Sequence, residues 1–169
     1  MENKKALVVG ASGGIGQSLI QYLSSLKDWD IIGLSRREPL FESKAQFISV
    51  DLLDRSDVSV KLAELTDITH IFYTAFYGGP TFSGPVAENL AMLTNVVDTI
   101  ESVAPGLERV VLMQGGKVYG RQMGPFKTPA KESDPRHMPP NFYFDQEDFL
   151  ITRSTGQRWS WSALRAEAF

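Results

Sequence analysis

Residues 6–16 read Ala6-Leu7-Val8-Val9-Gly10-Ala11-Ser12-Gly13-Gly14-Ile15-Gly16. Four apolar residues run into a glycine-rich turn, and Leu19, Leu23 and Leu26 then continue from Ile15 at helical spacing. The pattern predicts a strand, a tight turn and a helix. Glycines let a diphosphate approach the backbone closely, and a helix N-terminus offers unpaired N–H groups and the positive end of its dipole. We therefore expect this turn to bind a nucleotide, although three glycines would also serve an ordinary tight turn.

The glycine spacing is Gly10-x-x-Gly13-x-x-Gly16, which differs from the G-x-G-x-x-G of the commonest dinucleotide-binding turn. The longer first gap resembles that of the short-chain dehydrogenases/reductases. The cofactor-binding residues expected from this turn are Gly10, Ser12, Gly13, Gly14, Ile15 and Gly16.

The composition narrows the class of protein. The chain has 169 residues, enough for one domain with a substantial core, and we expect a single NAD(P)-binding domain over residues 1–169. Lys and Arg number 17 against 20 Asp and Glu, so no strong field favours nucleic acid or an anionic membrane. The absence of cysteine excludes disulfides, thiolate metal sites and cysteine nucleophiles. His70 and His137 are not in a metal-binding spacing, so we expect no metal site.

The apolar runs of the sequence indicate where in the cell the protein is located. Only four apolar residues precede Gly10, which is too short for a signal peptide, and no apolar run approaches the length of a membrane span. We therefore expect a cytoplasmic protein with no membrane partner.

Apolar runs alternate with helical patterns along the whole chain, which is typical of a parallel sheet. Further strands are predicted at residues 30–35, 46–50, 68–74, 109–113 and 159–164. Helices are predicted around 58–65, from about 85 to 104 and from about 142 to 154, with a Pro- and Gly-rich connector over 115–140. Six strands with this alternation predict an α/β fold with a doubly wound parallel sheet, the Rossmann fold. Ligands in such sheets bind outside the carboxyl ends of the strands.

The second predicted strand ends in Ser35-Arg36-Arg37. Arg36 stands twenty residues after Gly16, where an NAD-specific site would have a carboxylate for the ribose 2′-hydroxyl. A guanidinium there matches a 2′-phosphate through bidentate, charge-assisted hydrogen bonds. The three residues favour NADPH or NADP as the cofactor, the alternative being a solvated arginine pair on a loop.

Two more predicted strands end in candidate cofactor residues. After the third strand, Asp51 would accept a hydrogen bond from the adenine amino group while Leu52 packs on the ring; a helix-capping or loop aspartate fits the sequence equally well. After the fourth strand, Thr74, Ala75 and Phe76 would pass beneath the cofactor, although Phe76 also fits an ordinary packing role.

Lys117 and Tyr143 are the candidate catalytic residues. Lys117 follows Gly115 and Gly116 after the fifth strand, where its ammonium would come close to a cofactor. Tyr143 opens the last predicted helix behind Asn141, a good N-cap, and its alternative role is an aromatic whose hydroxyl is tied to backbone. The acids that follow suit the positive end of the helix dipole, so they receive no catalytic role: Asp145, Glu147 and Asp148. No tyrosine has a lysine four residues on, as the usual Y-x-x-x-K motif requires.

These displaced residues resemble those of the progesterone 5β-reductase/iridoid synthase-like (PRISE) family of atypical, extended short-chain reductases. The resemblance rests on two motifs, Gly115-Gly116-Lys117-Val118-Tyr119 and Asn141-Phe142-Tyr143-Phe144-Asp145, of which the second is similar to the family's Asn-Phe-Tyr-Tyr-Asp. Three further stretches are similar, at residues 69–73, 88–95 and 159–162.

The resemblance implies a reaction. Hydride would pass from NADPH to the β-carbon of a small α,β-unsaturated carbonyl compound. Tyr143 would hydrogen-bond the carbonyl oxygen as charge builds on it. Lys117 would stabilise that charge, favour the ionised form of the tyrosine and bind the nicotinamide ribose. Phe126 matches a substrate-pocket aromatic of the family, whereas Phe144 lacks the hydroxyl of the motif's second tyrosine.

The resemblance also implies that most of the family's C-terminal substrate region is missing, because family members continue for roughly as much chain again. The family usually has Arg-Pro where Arg165-Ala166 stands. Two alternatives to a reductase stay open: a non-catalytic NADP-binding module, and an epimerase- or dehydratase-like enzyme acting on sugar nucleotides, which the absent Y-x-x-x-K weakens. An uncovered sixth strand would expose apolar surface and invite a homodimer.

Overall fold

The computed structural model describes residues 4–80 and 85–166. Strands and helices alternate along the chain, and their bounds are β1 Lys4–Val9, α1 Gly14–Ser25, β2 Trp29–Ser35, β3 Gln46–Ser49, α2 Arg55–Leu62, β4 His70–Tyr73, α3 Val86–Val103, β5 Arg109–Gly115, α4 Phe142–Ser154 and β6 Ser160–Ala166. Two short 3₁₀ helices, Gly116–Tyr119 and Arg121–Met123, follow β5.

The six strands form one parallel sheet in the order β3-β2-β1-β4-β5-β6. Strand β1 lies at the centre, with Leu7 paired to Ile32 of β2 on one side and to Ile71 of β4 on the other. The strand order therefore reverses between β1 and β4, which is the switch point of a doubly wound sheet. The predicted Rossmann fold is confirmed.

The two faces of the sheet carry separate apolar clusters. Ala6 and Val8 point to one face, where they pack with Ile20 and Leu23 of α1. The residues of β1 that alternate with them point to the other face, which is covered by α2, α3 and α4. Because successive side chains of a strand point to opposite faces, β1 is buried on both sides and is apolar along most of its length.

The boundaries differ from the predicted ones where the apolar pattern and the hydrogen-bond ladder disagree. β5 continues two residues beyond Met113, because Gln114 and Gly115 pair with Arg165 and Ala166 of β6. In α1 the fully buried apolar residues are Ile20 and Leu23, whereas the predicted Leu26 is the C-cap. The helix predicted over about 142–154 has these same bounds in the structure.

Candidate functional site

A cleft of about 250 Å³ opens at the carboxyl ends of β1, β2, β3 and β4, and we call it the switch-point cleft. Its lining includes ten of the fourteen residues predicted to bind cofactor, namely Gly10, Ser12, Gly13, Ser35, Arg36, Asp51, Leu52, Thr74, Ala75 and Phe76. The other four predicted residues, Gly14, Ile15, Gly16 and Arg37, lie next to these along the chain but do not line the cleft.

Two glycines of the turn are required by the fold itself. Gly10 has φ +94°, and a Cβ on it would lie 2.8 Å from the backbone nitrogen of Ala75. A Cβ on Gly16 would lie 2.2 Å from the carbonyl oxygen of Gly10, so α1 could not pack against the end of β1. These two positions need glycine whether or not a ligand binds.

The remaining glycines of the turn are exposed, and packing does not require a glycine at position 14. A Cβ on Gly14 would meet no atom within 4 Å, whereas one on Gly13 would lie 3.3 Å from the carbonyl oxygen of Gly10. Gly13 is also the N-cap of α1, which has no side-chain cap and no acidic residue in its first turn. The first N–H groups of a helix have no intrahelical acceptor. The turn therefore presents open backbone donors beside the cleft, as an anion-binding turn does.

Arg36 and Arg37 are exposed, and their backbone is held by two hydroxyls. Ser35 Oγ donates to the carbonyl of Arg37 at 2.5 Å, and Ser49 Oγ donates to the carbonyl of Arg36 at 3.1 Å. Arg36 lines the switch-point cleft, whereas Arg37 lines a neighbouring hollow of about 400 Å³. In the described part of the chain neither guanidinium is paired with a carboxylate. Both cations are therefore available to an anion at this end of the cleft.

The segment after β3 is a turn that also faces the cleft. Asp51 Oδ1 accepts from the backbone of Leu53 at 3.0 Å, as a loop aspartate does. The carbonyl of Leu52 accepts from the buried side chain of Asn95 at 2.9 Å. Asp51 therefore stabilises its own turn, as a loop aspartate does, and it also lines the switch-point cleft.

A buried asparagine to which the sequence analysis gave no role holds the segment after β4. Asn89 is fully buried on α3; its Oδ1 accepts from the backbone N–H of Tyr77 and its Nδ2 donates to the carbonyl of Tyr77, both at 2.9 Å. Thr74 Oγ1 donates to the carbonyl of Val9 at 2.8 Å. Together these bonds fix the chain on either side of Phe76. The sequence does carry a signal for this role, because Asn89 is a polar residue on the apolar face of a predicted helix.

Lys117 and Tyr143 are joined through Asn141. The Asn141 Oδ1 atom accepts from the backbone N–H of Tyr143 at 3.1 Å, and its Nδ2 donates to the carbonyl of Lys117 at 2.8 Å. The predicted N-cap of α4 is therefore also a bridge to the 3₁₀ helix that carries Lys117. Among the described residues no hydrogen bond joins the Lys117 ammonium to the Tyr143 hydroxyl.

Phe76 connects this pair to the switch-point cleft. Lys117 Nζ lies 5.3 Å from the centroid of the Phe76 ring, and the Phe76 and Phe142 rings are 5.5 Å apart. The Phe142 and Tyr143 rings are 4.3 Å apart. Because Phe76 also lines the cleft, the rings of Phe76, Phe142 and Tyr143 form a row that begins at the cleft. The Lys117 ammonium lies over the Phe76 ring, the first of this row.

Burial raises the pKa of the Tyr143 phenol above its usual range. The family resemblance implied the opposite direction, with Lys117 favouring the ionised form. The difference has a geometric cause, since the ammonium lies against Phe76 rather than on the phenol oxygen. Tyr143 is therefore a neutral hydrogen-bond donor near neutral pH.

Phe126 lies away from the switch-point cleft. It stacks on Tyr119 with ring centroids 6.4 Å apart and planes 7° apart, beside a cavity of about 350 Å³. Phe126, the predicted substrate residue, therefore lies on the connector after β5. Its stacking partner, Tyr119, is two residues after Lys117.

Metal sites and membrane spans are both missing from the described ranges, 4–80 and 85–166. No group of three or more His, Asp or Glu side chains within them could hold a metal ion. None of the helices within them combines the length and apolarity that crossing a bilayer requires.

Comparison with protein families gives a match over most of the chain. The model of the PRISE-like Rossmann-fold domain matches residues 47–168. This chain belongs to the PRISE-like family. The match confirms the family that the two sequence motifs predicted.

The PRISE-like chain is similar to several proteins whose names state an enzyme class or activity. A short chain dehydrogenase of Penicillium aethiopicum, gsfE, is 33% identical over 178 residues, covering 98% of this chain and 47% of the relative. The (S)-8-oxocitronellyl enol synthase CYC2 of Camptotheca acuminata is 34% identical over 92% of this chain and 44% of its own length. The 3-oxo-Delta(4,5)-steroid 5-beta-reductase of Arabidopsis thaliana is 35% identical over 86% of this chain and 41% of its own length. The chain therefore spans less than half the length of these relatives.

Among solved structures, the UDP-glucose 4-epimerase of Thermus thermophilus in complex with NAD superposes with a TM-score of 0.78. The sequences are 20% identical, and the match covers 95% of this chain and 54% of the epimerase chain. At this identity the likeness supports the fold alone.

Proposed function

We propose that this chain carries the NADPH-binding and catalytic residues of a reductase that acts on α,β-unsaturated carbonyl compounds. The observation that carries the proposal is the place of Phe76, which lines the switch-point cleft and also contacts the Lys117 ammonium. The names of the relatives support the reaction class, since the Arabidopsis thaliana relative is named for a 3-oxo steroid with a neighbouring double bond. Such a compound is a conjugated enone.

The cleft fits a dinucleotide with an extra phosphate. Open backbone N–H groups at the start of α1 would hold the pyrophosphate, because Gly13 and Gly14 leave the approach clear. Arg36 in the cleft lining and Arg37 beside it would hold the 2′-phosphate. When bound, NADPH supplies a hydride to the β-carbon of the substrate.

Tyr143 stabilises the charge that this transfer creates. Negative charge builds on the carbonyl oxygen of the substrate, and the neutral Tyr143 hydroxyl donates a hydrogen bond to it. The burial that raises the pKa of Tyr143 keeps the phenol in its donating form near neutral pH. The enolate then takes a proton from water at the α-carbon, which gives the saturated carbonyl compound.

Lys117 adds a fixed positive charge beside the reacting groups. Its ammonium rests on the Phe76 ring, and its backbone is tied to the first turn of α4 through Asn141. A cation there favours both the bound dinucleotide and the developing oxyanion.

The test follows the loss of NADPH absorbance with a panel of cyclic enones and enals, in parallel with NADPH binding. We expect turnover of at least one enone, and a loss of about 100- to 1000-fold in kcat for Tyr143→Phe. Tyr22→Phe is the matched control, because Tyr22 is exposed on α1. NADPH binding without turnover of any substrate would instead support a non-catalytic NADP-binding module.

A further inference from the structure

Gln114 occupies the end of β5 and is completely buried. Its Nε2 donates to the backbone carbonyl of Tyr143 at 3.3 Å, and its Oε1 accepts from Nε of Arg165 at 3.2 Å. A buried amide is stable only when both of its ends are paired. Here the two partners are the first turn of α4 and a side chain of β6, so Gln114 links three elements.

Arg165 donates from each of its three nitrogens to a different partner. Besides Gln114, it contacts Tyr119 Oη through Nη1 at 3.2 Å and Glu147 Oε1 through Nη2 at 2.7 Å. The guanidinium is planar, so these three partners fix its orientation. Its carbon also lies 5.5 Å from the centroid of the Tyr119 ring.

Glu147 is a second point at which these residues hold α4. It is 5% exposed, stands one helical turn after Tyr143 and is paired with Arg165, a contact that its suitability for the helix dipole did not predict. Arg165 therefore holds α4 directly at Glu147 and, through Gln114, at the backbone of Tyr143. Rotation or sliding of the first turn of α4 would break at least one of these bonds.

We propose that Gln114 and Arg165 are positioning residues for Tyr143, holding its hydroxyl where it donates a hydrogen bond to the carbonyl oxygen of the substrate. The proposal rests on the proposed reductase function and adds two residues that do not touch the substrate. A tyrosine that must donate to one oxygen atom loses rate steeply when it is displaced, by about 100-fold for a shift of 1 Å.

Two substitutions each break one link. Gln114→Glu keeps an acceptor for Arg165 but removes the donor to the Tyr143 carbonyl. Arg165→Lys keeps a cation for Glu147 but removes the Nε–H that Gln114 accepts. Arg136→Met is the matched control, because Arg136 donates to the other oxygen of Glu147 at 3.1 Å and has no bond to Gln114.

The experiment measures kcat and KM for the best enone, the Kd of NADPH, and the ¹⁹F spectrum of protein labelled with 3-fluorotyrosine. The chain has five tyrosines, and the Tyr143 resonance is assigned with Tyr143→Phe. For Gln114→Glu and Arg165→Lys we expect kcat to fall about 10- to 100-fold, the Kd of NADPH to stay within about twofold, and the Tyr143 resonance to move or broaden. The double variant should lose little more than the worse single one, since the two residues act in series.

A merely structural role predicts a different pattern. If Arg165→Lys and Arg136→Met lower the melting temperature alike while kcat and the Tyr143 resonance keep their wild-type values, the positioning role is wrong. Failure of the reductase function is recognised separately, by a wild-type chain that reduces no enone. In that case the ¹⁹F spectra still decide whether Gln114 and Arg165 fix Tyr143.

Discussion

The side chain of Asn141 donates a hydrogen bond of 2.8 Å to the backbone carbonyl of Lys117. The same amide accepts from the N–H of Tyr143, so one residue sets both the start of α4 and its distance from the 3₁₀ helix after β5. This bridge gives the two candidate catalytic residues a fixed relation, although they are far apart in sequence and, in the described part of the chain, no hydrogen bond joins their side chains.

Replacement of Asn141 should separate capping from bridging. Asn141→Ser keeps a capping oxygen for α4 but cannot reach Lys117, whereas Asn141→Ala loses both and should cost about 1 kcal/mol of unfolding free energy. We expect Asn141→Ser to retain most of the stability in urea unfolding while kcat falls about tenfold. Equal kcat for Asn141→Ser and the wild type would show that the bridge has no role in catalysis.

Gly14 and Gly16 form a matched pair that separates ligand binding from folding. Gly16→Ala should destabilise the chain by about 3 kcal/mol, because its Cβ would lie 2.2 Å from the Gly10 carbonyl. Gly14→Ala meets nothing within 4 Å and should leave the stability unchanged or raise it by up to about 1 kcal/mol, as alanine favours a helix.

The same pair should differ in NADPH affinity. We expect Gly14→Ala, measured by titration, to bind NADPH less tightly despite its intact fold, since the methyl group would stand where the pyrophosphate approaches α1. Unchanged affinity would mean that the pyrophosphate does not contact this end of the helix.

Arg36 should discriminate between the two nicotinamide dinucleotides. Loss of a charge-assisted hydrogen bond to the 2′-phosphate, worth about 1.5 to 3 kcal/mol, corresponds to about 10- to 100-fold in Kd. We expect Arg36→Met to weaken NADPH binding by this factor and to leave NADH binding unchanged, with exposed Arg158→Met as the control. If Arg36→Met weakens the binding of NADPH and of NADH equally, the arginine does not bind the 2′-phosphate.

Tyr73 offers a test of the core. Its side chain is buried in the cluster beneath α2, α3 and α4, and in the described part of the chain its hydroxyl has no hydrogen-bond partner. Tyr73→Phe should therefore raise the unfolding free energy by about 1 kcal/mol at neutral pH, while the exposed Tyr22→Phe should not.

The pH dependence of that stability has a defined sign. Burial raises the pKa of Tyr73 far above its ordinary value of about 10, so above that pH the unfolded chain releases this proton and the folded chain keeps it. Stability is thus retained below about pH 10 and falls as the pH rises beyond it. Tyr73→Phe should show a shallower alkaline loss than the wild type in urea unfolding; parallel curves would contradict this assignment.

The fold was predictable because strand and helix periods are local properties of the chain. β1, the glycine turn and α1 follow from residues 4–25 alone, and the βα alternation then leaves few arrangements of a parallel sheet. The places of Arg36, Asp51 and Thr74 in one cleft follow in turn, because parallel strands bring their carboxyl ends to the same edge.

The support of the candidate site was not predictable in this way. The bond from Gln114 to Tyr143 and the bonds from Arg165 to Tyr119 and Glu147 join residues from different elements, and no local pattern encodes them. Glu147 is an example, since its place near the start of α4 suits the helix dipole but does not reveal that the side chain is buried against an arginine of β6. The direction of the Tyr143 pKa depends likewise on where Lys117 Nζ lies, on the ring of Phe76.

The most direct measurement is the fate of a hydride label. The chain is mixed with NADPH that carries deuterium at both C4 positions of the nicotinamide and with the best enone of the panel, and the product is analysed by mass spectrometry and NMR. We expect a saturated carbonyl compound that carries one deuterium at the β-carbon, and we expect Tyr143→Phe to form little or none of this product. A chain that binds NADPH but transfers no deuterium to any enone would contradict the account.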